Sequence, residues 1–305
     1  MRDTLTRRDL LKTLTTTAAI VAASRGGAAA NRPTLAFSTL GCPNWSWRQI
    51  LDTATRDGYG AIELRGLMGE MDLPKRPEFT GSAAAAALKD VRSAGLRIAC
   101  VSASSQLHSP DPAVRARQMD EARRFIDLAH RLEAANVRVF GNNWVEGEAH
   151  DVTLARVSAG MRELVEAAKG SGAEIIIESH GDFTDSATLT TLLEAAPGAG
   201  LLWDTHHTVV AGKEDPKDTF AKLGKWTRHT HIKDSVPGPD PSKPDDRAYV
   251  LTGTGQVPVK QIVQTLVQGG YAGCQCFEGE KKWHPEIAEP EIAIPQFAKT
   301  VKAWL

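Results

Sequence analysis

Three consecutive β-branched residues, Ile175-Ile176-Ile177, run straight into a carboxylate at Glu178. An uninterrupted apolar run of this kind reads as a strand buried on both faces, as in a parallel sheet, with the acid at its C-terminal edge. The pattern recurs three times downstream. Leu201-Leu202-Trp203 ends at Asp204, Arg228 to Ile232 carries His229 and His231, and Cys274 to Phe277 ends at Glu278. Four strand ends thus offer three carboxylates and one imidazole, and the C-terminal strand ends are where a (β/α)8 barrel keeps its chemistry.

The rest of the chain alternates in the same way. Strands are expected at Thr34–Ser38, Ala61–Leu64, Arg97–Ser102, Val137–Phe140, Glu174–Ile177, Leu201–Trp203, Thr227–Ile232 and Cys274–Phe277. Helical patterns fall between them, over Trp45–Asp57, Ser82–Ala94, Asp111 to Ala134, Val152–Lys169, Asp185–Ala195 and Asp215–Leu223, then from Val257-Pro258, and last over Pro290–Ala303. Eight strand–helix pairs in strict alternation predict one α/β domain, a single (β/α)8 barrel over residues 31–305. One connection is too long for a turn. Ser235 to Gln256, with Pro237, Pro239, Pro241 and Pro244, reads as a lid or binding loop on the catalytic face, or as a solvated insertion.

Residues 1–30 stand outside this alternation. Thr6-Arg7-Arg8-Asp9-Leu10-Leu11-Lys12 precedes a mildly apolar stretch, Leu14 to Ala23, and then Ala28-Ala29-Ala30. A charged start, a short apolar middle and small residues at a cleavage point form a targeting segment. It resembles a twin-arginine export signal, which implies the twin-arginine machinery as a partner and a periplasmic or secreted protein. No cysteine follows the alanines and no apolar stretch reaches about 18 residues, so neither a lipid anchor nor a membrane span is expected. Cleavage would remove five basic and two acidic residues, leaving 31 against 35 and a formal charge of −4. Such a surface offers no track for nucleic acid. Cys42, Cys100, Cys274 and Cys276 lack zinc-ribbon spacing, and the last two read as core residues on one strand face.

Glu178, Asp204, His231 and Glu278 crowded together would repel one another without a cation. An oxygen-rich set of this kind suits one divalent metal, Mn²⁺ first, with Mg²⁺, Co²⁺ or Zn²⁺ also fitting.

The sequence resembles the xylose isomerase-like family of barrels, the sugar isomerases and epimerases in particular. The match rests on Ile177-Glu178-Ser179-His180, on Trp203-Asp204-Thr205-His206-His207, on His229-Thr230-His231-Ile232-Lys233-Asp234 and on Phe277-Glu278. The resemblance implies that Glu178, Asp204, His231 and Glu278 bind one divalent metal. It implies further that Glu178 and Glu278 are the acid/base pair and that His207 contacts substrate. The tail Glu278-Gly279-Glu280-Lys281-Lys282-Trp283-His284-Pro285 departs from the well-studied ketose epimerases and leaves the sugar open.

The expected activity is therefore isomerisation or epimerisation of a ketose or keto-sugar, by proton abstraction beside a carbonyl through an enediolate. Loss of a β-hydroxyl or a β-linked group on the same site would make it a keto-sugar or inosose dehydratase, or a 3-keto-glycoside eliminase. Further candidates for substrate contact are His180, Lys233, Glu63, Glu280, Trp283 and His108, with Asn142 beside them. Each has a plainer role open to it: Lys233 pairing with Asp234, Glu63 with Arg65, or Trp283 packing beneath the last helix. A non-catalytic carbohydrate-binding barrel and an apurinic-site endonuclease are the rivals. The first should lack one glutamate, and the second needs histidines that do not follow His231. The expected partner is a small sugar, free rather than phosphorylated, and a homo-oligomer is compatible with the sequence.

Overall fold

In the computed structural model, residues 33–240 and 246–305 are described. The export-signal expectation for residues 1–30 lies outside the described residues, as do Pro241, Pro244 and Asp245. The apolar runs become strands β1 (Thr34–Ser38), β2 (Ala61–Leu64), β3 (Arg97–Gln106), β4 (Asn136–Asn142), β5 (Glu174–Gly181), β6 (Gly200–Asp204) and β7 (Thr227–Ile232). A two-stranded hairpin follows, β8 (Asp234–Pro237) against β9 (Arg247–Val250), before the last barrel strand β10 (Cys274–Phe277). The eight barrel strands are parallel and close in the ring order β1-β10-β7-β6-β5-β4-β3-β2. This is the single (β/α)8 barrel that the alternation predicts. No described helix is long and apolar enough to cross a membrane.

Because side chains alternate along a strand, each barrel strand serves two cores. Ile175, Ile177, Leu201, Trp203, Val137 and Val139 belong to the main core, shared with the surrounding helices. Ala36, Ala61, Ala99, Cys274 and Cys276 form one small inner cluster, and Cys100, Ile176 and Leu202 another. All four cysteines are free and buried. Above these apolar residues, toward the C-terminal ends, the inner face turns polar.

The helix starts are set by side-chain caps. Asp111 accepts from the backbone N–H groups of Ala113 and Val114 at 2.7 and 3.0 Å, and Asp185 from those of Ala187 and Thr188 at 3.1 and 2.8 Å. Such caps satisfy amides that the first helical turn leaves unpaired. One glycine at the catalytic rim is required. Gly181, closing β5 three residues after Glu178, has φ +62°, and a Cβ there would lie 2.2 Å from the carbonyl oxygen of Asn142. We expect Gly181→Ala to lower stability by about 1–3 kcal/mol and to disturb Glu178; thermal unfolding of the purified variant checks this.

The long loop after β7 is ordered over its described part by one residue. The Asp234 carboxylate accepts the backbone N–H of Ser235, Gly253, Gly255 and Val257 at 2.8–3.2 Å, tying both ends of the connection together. Asp234 is therefore not the partner of Lys233.

Candidate active site

The fold draws Glu178 from β5, Asp204 from β6, His231 from β7 and Glu278 from the end of β10 to one point. One ligand atom from each lies within 4.8 Å of all the others, and all four residues are buried. His231 Nδ1 stands 3.1 Å from Glu278 Oε1, 3.7 Å from Glu178 Oε1 and 3.9 Å from Asp204 Oδ2. Donors about 2.0–2.2 Å from one shared ion have separations on this scale.

Two of these atoms, and the second oxygen of Glu178, make no hydrogen bond. Asp204 splits its oxygens: Oδ1 caps the short helix Thr205–Val210 through the N–H groups of His206 and His207, while buried Oδ2 faces Lys233 Nζ at 2.7 Å as an ion pair outside hydrogen-bond alignment. His231 Nδ1 is likewise buried without a hydrogen bond. So is Glu178 Oε2, which faces Arg138 Nε at 3.2 Å as an ion pair outside hydrogen-bond alignment.

Charge gives a second test of the fit. The inward-facing buried groups are Glu63, Glu178, Asp204, Glu278 and Glu280 against Arg65, Arg138 and Lys233. With the imidazoles neutral, as a metal-bound His231 would be, these sum to −2, which one divalent cation would cancel. The donor set and the charge both fit a hard divalent ion.

The titrating groups respond to this crowding. Burial raises Asp204 to about 6, only partly offset by Lys233. Burial also acts on Glu178, but Arg138 and His231 outweigh it and hold that carboxyl at about 2. Glu278 is likewise held well below the usual range, with His231 and Lys233 overcoming its burial. Burial disfavours a proton on His231, yet Glu278 and Glu63 push its pKa well up. The pocket asks for positive charge at its centre.

Lys233 supplies part of it. Its Nζ lies 2.7 Å from Asp204 Oδ2, 2.5 Å from Glu278 Oε2 and 2.7 Å from Glu280 Oε1. Lys233, a candidate for substrate contact, thus does not take its plainer alternative of pairing with Asp234 but meets two of the four clustered residues and Glu280. Burial raises the pKa of Glu280. A cavity of about 30 Å³ opens beside Lys233, Glu278 and Glu280, with Tyr249 and Phe277 on its wall. It has room for about one or two water molecules.

The mouth is walled by imidazoles. His207 Nε2 lies 3.4 Å from Asp204 Oδ2, and its ring meets that of His180 edge-on at 5.0 Å. His180 leans on Phe140 and leaves Nδ1 buried and unpartnered. His206 turns away, bonding Ser235 Oγ at 2.7 Å. The two histidines point apart because the chain turns helical at Thr205. His108 sits at the rim, its carbonyl accepting from Arg156 Nη1 at 2.8 Å.

Two expectations are corrected. Glu63 has no exposed surface and accepts from Ser38 Oγ, so it neither binds a substrate hydroxyl nor pairs with Arg65. Its other oxygen takes both His229 and His231. Trp283, a candidate for substrate contact, is 53% exposed, so its plainer alternative of packing beneath the last helix does not hold.

The sequence reading also missed residues. Arg138 is a charge inside the apolar run Val137-Arg138-Val139, a signal that alternation alone would place inside the barrel. Tyr249 had no such signal. The hairpin brings its ring within 6.0 Å of Lys233 Nζ and 4.9 Å of the His284 ring.

Among the described residues, one further group has ligand spacing, Glu63, His229 and His231, and it shares His231 with the first.

Comparison with known proteins places these features in context. A family model described as xylose isomerase-like TIM barrel matches residues 51–298. The L-ribulose-5-phosphate 3-epimerase UlaE of Escherichia coli K12 is 24% identical over 266 residues, 84% of this chain and 89% of that protein. Among solved structures, an L-ribulose 3-epimerase superposes with a TM-score of 0.72 at 18% identity, covering 90% of this chain and 95% of the other. The D-allulose 3-epimerase of Methylomonas sp. gives 0.70 at 19% identity, covering 90% and 98%. A xylose isomerase-like barrel of Mycobacterium smegmatis, solved with magnesium, gives 0.63 at 19% identity, covering 89% and 95%. At these identities the structural likenesses establish the fold.

Proposed function

The chain belongs to the xylose isomerase-like TIM barrel family, and on that premise we propose that it is a metal-dependent 3-epimerase or isomerase of an unphosphorylated keto-sugar. The observation that carries this reading is the pair Glu178 and Glu278. They come from β5 and β10, three steps apart round the barrel, and converge on one ligand set with Asp204 and His231. The epimerase activities of the relatives named above support it.

Glu178, Asp204, His231 and Glu278 would hold the ion. A divalent cation there supplies Lewis acidity that polarises a carbonyl and its neighbouring hydroxyl and so acidifies the C–H between them. Glu178 or Glu278 removes that proton as a carboxylate, and its counterpart across the mouth, having first taken the proton of the neighbouring substrate hydroxyl, returns it to the opposite face, after which the first glutamate reprotonates the oxygen. Both carboxyls are held in the ionised range by adjacent cations, Arg138 for Glu178 and Lys233 for Glu278. Lys233 also places an ammonium where an oxygen gains charge as the C–H bond breaks. His180 and His207, at the open end, hold the sugar hydroxyls.

The preference for a free sugar rests on the rim. Arg156 is engaged with Glu148 at 2.5 and 2.9 Å, Arg247 with Ser235, and Lys281 with the carbonyls of Pro285 and Ile287 and with Glu289. These cations are already committed, and a phosphate would have to displace their partners.

The test is incubation in deuterium oxide with L-ribulose, D-tagatose, D-allulose and L-ribulose 5-phosphate in the presence of Mn²⁺. Deuterium beside the carbonyl together with the 3-epimer of a free ketose is the expected outcome. An elimination product would move the enzyme to the lyases. Tight sugar binding with neither exchange nor product would make the barrel a binding module.

The proposal extends to location, with residues 1–30 directing twin-arginine export. Arg7→Lys combined with Arg8→Lys is expected to retain the protein in the cytoplasm, as read by cell fractionation; unchanged export removes this part of the proposal.

A further inference from the structure

Beneath the four clustered residues lies a carboxylate that the reaction does not use. Glu63, on β2, spans the barrel interior to β7, where Oε2 lies 2.7 Å from His229 Nε2 and 2.7 Å from His231 Nε2. Its other oxygen, Oε1, accepts from Ser38 Oγ on β1 at 3.0 Å. All four residues are buried. Ser38, His229 and His231 hold Glu63 there.

We infer that Glu63 is a positioning residue that fixes the tautomer and the ring orientation of His231 as a metal ligand. The inference rests on the metal site proposed above. A neutral imidazole has one N–H and one lone pair, and only the lone pair can bind a cation. An ionised carboxylate accepts and never donates. Glu63 facing Nε2 therefore requires the N–H on that side, which leaves the lone pair on Nδ1. Nδ1 is the atom that faces Glu178, Asp204 and Glu278. A glutamine of the same shape could turn its amide toward Nε2, and the proton would then sit on Nδ1, pointing at the ion. An acceptor-only group removes that choice.

His229 serves the same end. By donating to the same oxygen as His231, it holds Oε2 in place, while Ser38 holds Oε1. The carboxylate is thus anchored from two other strands before it orients the ligand. Outer partners of metal-bound imidazoles commonly act in this way, and losing one costs about 10–100-fold in metal affinity.

The experiment is a Co²⁺ titration of the purified protein, following the visible absorption of the bound ion, with Glu63→Gln and Glu280→Gln compared with the parent. Both variants remove one buried negative charge, but only Glu63 contacts a ligand imidazole. We expect Glu63→Gln to bind Co²⁺ about 10–100-fold more weakly and with a changed spectrum. Glu280→Gln should fall less and keep the parental spectrum. Equal losses in both variants with unchanged spectra, or parental affinity in Glu63→Gln, overturn the inference. A parent that binds no Co²⁺ fails the metal reading itself, a separate result.

If Glu63→Gln does not fold, ¹⁵N-histidine NMR of the zinc-loaded parent decides. A protonated Nε2 and a metal-shifted Nδ1 on His231 are expected, and the reverse assignment overturns the proposal.

Discussion

Glu178→Gln and Glu278→Gln are each expected to lower turnover by about a hundredfold or more, the usual scale for a positioned acid or base, with the barrel still folded. Glutamine keeps the length of the side chain and one oxygen acceptor but cannot take up a proton at carbon. The two carboxylates enter from strands three steps apart in the ring, and in the proposed mechanism each would serve one face of the reacting carbon. The loss should therefore appear in both directions of an epimerisation. Deuterium exchange separates the two residues further, because a variant that keeps its base for one epimer still exchanges that substrate without converting it. Full turnover in either variant would remove that glutamate from the acid/base pair. The measurements are initial rates and deuterium content of recovered sugar, with the metal content of each variant checked.

Removing the metal should have the largest effect of all, with chelation abolishing turnover and added Mn²⁺ restoring it. Asp204→Asn is the matching substitution. It keeps an oxygen able to cap His206 and His207, so the local helix start survives. It also replaces a buried, anionic Oδ2 with a neutral group beside Lys233. The buried charges would fall from −2 to −1, and the ion would lose both a ligand and part of its counter-charge. Elemental analysis is expected to find near one equivalent in the parent protein and little in the variant. Activity that persists after exhaustive chelation would contradict the role proposed for the ion.

Much of this arrangement could be read from residue order. A β-branched run such as Ile175-Ile176-Ile177 has few alternatives to a buried parallel strand, and a charged residue at its end has nowhere to go but the rim. Repeated eight times with helices between, the pattern leaves little besides a closed barrel. The four clustered residues follow, since each ends or flanks a strand whose direction is fixed. The roles of Lys233 and Glu63, singled out as candidates for substrate contact, did not follow in detail, because each also had a local partner that looked sufficient in sequence, Asp234 or Arg65.

Those two were decided by contacts across the barrel. Asp234 is consumed by four backbone N–H groups of its own loop, which frees Lys233 for Asp204, Glu278 and Glu280. Glu63 bonds residues 166 and 168 positions away, a distance no periodicity can encode. Tyr249 reaches the site only because Asp234–Pro237 pairs with Arg247–Val250. The sequence by itself determined the barrel and the ring of strand ends, since alternation and burial are local properties of the chain. Which buried group faces which was settled by the closed tertiary structure, where every inward side chain must find its charge and hydrogen-bond partners at once among residues from other strands.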